Sequence, residues 1–298
     1  MLRRSFVLLT LALALGPARA PAVTAPDLSA RIAVNGYTDD FAPDEVVFGL
    51  TAGGLLEEPW DDSAWGQFND VRQIHVTWDA LALYLGVDAT IWGNNVILAA
   101  DVLEGRGLAD MTGLNSWRRL FYFIPEFAPD LFCATWNWNT APRLLLHLYG
   151  NTVSDNLPGA QFQAVSTFED DQPGRAMEFR IPWSTVLQGT THDTTISVGG
   201  QDYPATVLPP GTALHLAAFV TGGPDGVSGP DSAPNNLLGH PVDYLVPVAI
   251  DNFAIVPVDP DGDGLADLGA SVRPRVTFHD YATPTRHTSW GRIKARYR

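Results

Sequence analysis

The chain has 298 residues, of which only 17% are charged, below the roughly 25% usual for soluble domains. A formal net charge of −15 repels phosphate backbones and anionic lipid headgroups, which argues against nucleic-acid binding. Hydrophobic residues make up 46%, which excludes wholesale disorder, and abundant Gly (27) and Pro (23) favour a turn-rich β protein over a helical one.

Met1–Ala20 carries Arg3 and Arg4, an apolar run from Phe6 to Leu15, and Ala18-Arg19-Ala20. This is the pattern of an export signal cleaved near Ala20, with an apolar stretch too short to span a bilayer. No later segment has 18 uninterrupted apolar residues, so no membrane span is expected. The reading is a secreted, extracellular or periplasmic bacterial protein. Its single cysteine, Cys133, excludes an internal disulfide and reads as a buried, inert thiol. Metal ions are then the natural extra source of stability.

Residues 21–29 form a Pro/Ala-rich leader. Short apolar runs then alternate with turn clusters. The expected strands are Glu45–Leu50, Gln73–Trp78, Leu81–Val87, Asn95–Val102, Arg119–Phe123, Leu131–Trp136, Arg143–Tyr149, Gln161–Phe168, Ala176–Ile181 and Ala213–Val220. Ile74, Val76 and Trp78 share one strand face, as do Leu81, Leu83, Leu85 and Val87, and Asp79-Ala80 is short enough for a hairpin. One short helix is expected after Pro182, with Ser184 as its cap. The Gly/Pro-rich stretch Thr221–His240 reads as a long surface loop. Residues 30–250 are therefore expected to form an all-β, antiparallel β-sandwich of jelly-roll or immunoglobulin-like type. Residues 251–298 read as an appendix, an acidic loop followed by a basic tail.

Asp259-Pro260-Asp261-Gly262-Asp263-Gly264-Leu265-Ala266-Asp267 fits D-x-D-x-D-G-x-x-D. Asp259, Asp261 and Asp263 converge on a hard cation in such a loop, Leu265 offers its carbonyl, and Asp267 ligates through water. Ala270 stands where an EF-hand has its bidentate Glu, so the loop is similar to the short calcium loops of thrombospondin type 3 repeats. Weak, structural Ca2+ binding is expected, on the order of 10⁻⁴–10⁻³ M. A solvated Asp/Gly turn is the alternative. Asp39, Asp40, Asp44 and Glu45, or Asp61 and Asp62, are further acidic groups without diagnostic spacing.

Nine tryptophans are present. Trp136 and Trp138 are two apart and flanked by Asn137 and Asn139, so one strand face presents two indoles roughly 6.5–7 Å apart. Such a pair forms a platform for sugar rings, with the amides binding hydroxyls; the same pair also suits a sandwich core. Trp92 with Asn94 and Asn95, and Trp117 with Arg118 and Arg119, are further candidates. Catalytic patterns are missing. The seven histidines have no metal-ligand spacing, and no G-x-S-x-G or phosphate-cradling loop occurs.

Three motifs come in the order found in family 9 carbohydrate-binding modules and their DOMON-like relatives. Ile32-Ala33-Val34-Asn35-Gly36 with Asp39 and Asp40 resembles their opening segment. Val76-Thr77-Trp78-Asp79 with Leu83-Tyr84-Leu85-Gly86-Val87 resembles their hairpin, and Glu178-Phe179-Arg180-Ile181-Pro182-Trp183 their closing strand. Thr221–Asp231 is similar to a loop in the C-terminal binding module of glucodextranase-type enzymes. The resemblance implies a non-catalytic β-sandwich, often with structural calcium, that serves polysaccharide-acting proteins. The expected function is thus binding of a polysaccharide or glycan, not catalysis. The alternatives are a surface or matrix scaffold with a cell-surface partner, and a glycoside-acting enzyme with two facing carboxylates.

Overall fold

A computed structural model describes residues 27–47, 62–103, 106–136, 143–147, 153–154, 157–165, 176–191, 195–198, 200–204, 207–267 and 276–279. The expected signal, the expected leader up to residue 26 and the tail beyond 279 lie outside them.

The fold is all-β and antiparallel. One sheet has the order β1 (Asn69–Trp78), β2 (Ala82–Ile91), β9 (Ala176–Pro182), β8 (Gln161–Ala164). The larger sheet runs β16 (Thr277–Phe278), β15 (Ala254–Pro257), β12 (Ala213–Thr221), β3 (Asn95–Asp101), β5 (Leu131–Trp136), β6 (Arg143–His147), β7 (Val153–Ser154), and β13 (Asp231–Ala233) also pairs with β12. Two small additions are the β10–β11 ribbon (Thr195–Val198, Gln201–Pro204) and the parallel pair β4 (Phe121–Phe123) with β14 (Val248–Ile250). Among the described residues one α-helix, α1, spans Trp183–Thr191 and begins directly after Pro182, at the place its sequence indicates.

Side-chain alternation builds the sandwich. Ile74, Val76, Trp78, Leu83, Leu85 and Val87 of one sheet meet Val96, Leu98, Ala100, Leu214, Leu216 and Ala218 of the other. The outward face of the larger sheet is covered too: Ile97, Ala99, Phe132, Ala217 and Phe219 lie under Phe121, Phe127, Val248 and Phe253. On the smaller sheet, Ala82 and Tyr84 pack against Ile32 and Phe41 of the N-terminal segment. Strands β2 and β3 are consequently buried along their whole length, although half of their side chains face away from the central core. The approach of the N-terminal segment needs Gly86, where a Cβ would come within 2.8 Å of the Thr38 Cγ2.

Several expectations differ from the structure. Of Glu45–Leu50, the described part makes one isolated bridge, Val46 to His75. The stretch from Thr221 to His240 is not a surface loop, since Val227 to Asn236 is almost entirely buried and contains β13. Its Gly and Pro residues let the backbone pack closely against β12. A Cβ on Gly229 would stand 1.8 Å from the Val220 carbonyl oxygen, closer than any side chain permits. The sheet also continues past Ile250. Strand β15 pairs with β12, and Val256 and Val258 enter the central core, so the residues after 250 belong to the sandwich up to the acidic loop.

Gly229→Ala is expected to cost roughly 3 kcal/mol, because both partners in the close approach are backbone. A lower denaturation midpoint in urea at unchanged slope checks this.

Candidate functional site

The acidic loop is folded around Asp259. This fully buried carboxylate accepts four backbone N–H groups: those of Gly262 and Asp263 at Oδ1 (3.0 and 3.1 Å), and those of Gly211 and Gly264 at Oδ2 (3.0 and 2.9 Å). Four donors fill the roughly four lone-pair positions of a carboxylate, so Asp259 organises the loop first and is a poor direct ligand. Oxygens of Asp259, Asp261 and Asp267 nonetheless lie within 4.8 Å of one another. The Asp263 carboxylate is used by the Leu265 N–H (2.8 Å), and Leu265 itself is exposed. At Asp261 an N–H from Asp263 favours the charged form, but desolvation and the charges of Asp263 and Asp267 outweigh it and raise the pKa. A hard cation held by Asp261 and Asp267 would relieve that repulsion, with water completing its shell. The loop is tied to the sandwich by the Trp78 indole, which donates to the Asp267 carbonyl at 3.1 Å.

The aromatic candidates separate. The backbone of Trp136 ends β5 opposite Asn95, while Asn137, Trp138 and Asn139 lie outside the described residues. Trp117 has φ 60° and is half-buried, and the Arg119 guanidinium sits 5.3 Å from its ring centroid. Arg119 is held there by Asp225 (2.7 Å) and the Gly223 carbonyl (3.0 Å). One ring face of Trp117 is thereby committed within the protein.

Trp92 is different. It is 57% exposed in the β2–β3 turn, and Phe68, which sequence inspection passes over, is 42% exposed. The β1–β2 ladder ends with Asn69 opposite Ile91, so Phe68 and Trp92 are the next positions outward on the two strands. The Asn69 side chain fixes the turn, accepting from the Trp92 N–H (3.3 Å) and from the Asn94 amide (2.5 Å). Exposed Phe68 and Trp92 thus flank the end of the β1–β2 ladder, with the anchored Asn94 amide in the same turn as Trp92. A shallow groove of about 540 Å³ lies elsewhere, on edge strand β8, lined by Val34, Ala160, Gln161, Phe162 and Gln163.

Two facing carboxyl groups do occur, beside that groove. Glu178 is buried, its Oε2 accepts from the Asn35 (2.7 Å) and Gly36 (2.9 Å) amides, and Asp40 is near enough to act on its charge. Burial, with Asp40 adding to it against the two amides, pushes the Glu178 pKa up to about 7. At 1% exposure, under the Asn35-Gly36 backbone, Glu178 is out of reach of a substrate. Asp130, pushed to about 8 by burial and then by Asp101, likewise accepts from the Val102 and Leu103 amides. Burial also raises the Cys133 thiol, consistent with an inert side chain. Among the described residues no helix is long and apolar enough to cross a membrane.

Asp259→Ala orphans four N–H groups and is expected to destabilise by about 2–4 kcal/mol, read as a fall in Tm with and without calcium. For Glu178 the folded pKa is raised, so its stabilising contribution is full below about pH 4.5 and is lost as pH rises to about 7. Glu178→Gln keeps an acceptor for the two amides. It should flatten the stability profile between those pH values and gain up to roughly 3 kcal/mol above pH 7, measured by denaturation at a series of pH values.

The chain matches no protein-family model and no curated protein.

Proposed function

We propose that the chain is an exported, non-catalytic β-sandwich binding module whose ligand is a carbohydrate, with calcium as a structural ion in the 259–267 loop. The observation that carries this reading is the exposed pair Phe68 and Trp92 with the Asn94 amide beside it. Aromatic faces stack on the C–H faces of sugar rings, while amides pair with hydroxyls, and neither contact needs charge. Export rests on Met1–Ala20 as sequence alone. The carboxyl pair of Asp40 and Glu178 fits structure better than glycoside hydrolysis, because the buried Glu178 cannot touch a glycosidic oxygen.

The test is a glycan-array and polysaccharide binding screen of the chain, with calcium and with chelator. Saturable binding is expected, and Trp92→Ala or Phe68→Ala should weaken it at least about tenfold, equivalent to ~1.4 kcal/mol. Absence of saturable binding under both conditions overturns the sugar ligand.

A second reading, an assembly scaffold without a sugar ligand, draws on one apolar loop. Leu238, Val242, Tyr244 and Leu245 are all more than half exposed there. That reading predicts concentration-dependent association in sedimentation, abolished by Leu238→Ser with Leu245→Ser.

A further inference from the structure

We propose that Asp62, Asp70 and Asp231, together with the Thr90 hydroxyl, form a binding site for one divalent hard cation where β13 meets the edge of β1. The site is separate from the 259–267 loop and draws on three distant stretches of sequence.

Oxygens of the three carboxylates lie within 4.8 Å of one another. Two independent constraints place them there. The β1–β2 register shifts between Val71 and Gln73, a bulge that re-aims the side chains around it. Beside the bulge, the Val71 N–H donates to Asp231 Oδ2 at 2.7 Å and draws β13 onto the strand edge. Asp62 approaches from the segment before β1 and is oriented by the Asn235 amide at 2.8 Å. Asp70 and Asp231 are buried, whereas Asp62 is exposed and leaves the cluster open to solvent on its side.

A second observation points to a ligand. Thr90 is 1% exposed, and its hydroxyl makes no hydrogen bond among the described residues. It stands directly opposite Asp70 in the β1–β2 register, so both side chains leave the same face of the sheet. A buried hydroxyl without a partner is costly, and an oxygen ligand for a metal is one use for it.

The chemistry favours a hard ion. All four groups offer oxygen and none offers nitrogen or sulfur, which suits Ca2+ or Mg2+ over zinc or copper. The Arg72 Nε lies 3.3 Å from Asp70, so three carboxylates and one guanidinium leave a net charge of −2 that a divalent ion cancels. The platform residues Phe68 and Trp92 lie two positions from Asp70 and Thr90 along their strands.

The experiment uses the chain with Asp261, Asp263 and Asp267 changed to Asn, which removes the loop as a competing site and keeps its organiser Asp259. Calcium alone is titrated by calorimetry, and Tb3+ by tryptophan-sensitised luminescence with calcium competition. One saturable ion is expected. Asp70→Asn in this background should weaken it about tenfold or more, and the isosteric Thr90→Val several-fold, both with an unchanged circular dichroism spectrum. No saturable binding in the loop-substituted chain overturns the site. So does binding that neither Asp70→Asn nor Thr90→Val alters. Because no glycan enters the measurement, its outcome is independent of the sugar reading.

Discussion

Acceptance of loop amides by buried carboxylates is the interaction on which the rest of the structure depends. A turn-rich β protein leaves many backbone N–H groups outside its ladders, and each must find an acceptor if it is buried. Here Asp and Glu side chains supply it. Asp79 takes the Leu81 and Ala82 amides (2.8 Å each) and closes the β1–β2 hairpin, while its other oxygen holds the Leu28 amide and the Tyr84 hydroxyl. Asp130, Asp251 and Asp259 do the same for their loops, and Glu178 pins the N-terminal segment across the smaller sheet. A good part of the acidic composition is therefore internal architecture.

That architecture has an electrostatic cost. Carboxylates removed from water and set near one another favour the protonated form, as at Glu178, Asp130 and Asp231. Where three acids converge and a buried hydroxyl joins them, at the edge between β1 and β13, the same repulsion is best answered by a metal ion. Where amides dominate, as at Asp259, the carboxylate is already satisfied, and a cation in that loop falls to Asp261 and Asp267. Acid clustering alone thus separates poorly into structural and ligand-binding cases; the donors around each oxygen make the distinction.

The layers follow from the same economy of exposed surface. Both outer faces of the sandwich are clad by loops, which leaves few places where large side chains meet solvent. Among the described residues, Trp92 and the Leu238–Leu245 loop are such places, as are Leu81 and Leu265, with Phe68, Tyr37, Tyr122 and Phe162 less exposed. Their exposure stands out against an interior that buries Phe121, Phe127, Phe219 and Phe253 almost completely.

Period-two alternation was enough to find the central strands, since Ile74-Val76-Trp78 and Leu83-Leu85-Val87 carry their burial pattern in the residue order. β5 from Leu131 to Trp136 was legible to the residue, and Pro182 marked the start of α1. Short-range chemistry likewise exposed the Asp259 loop, because its turns are local. The rest needed contacts between distant residues. Gly and Pro between 221 and 236 read as exposed loop, yet the same freedom serves close backbone packing, as at Gly229, and only the neighbouring strand tells these apart. Asp62, Asp70 and Asp231 have no shared spacing, and nothing local to Phe68 marks it as exposed. Alternation reports which face a residue occupies; what that face meets is set by contacts between residues distant in sequence, and the proposed cation ligands Asp62, Asp70 and Asp231 belong to that second kind.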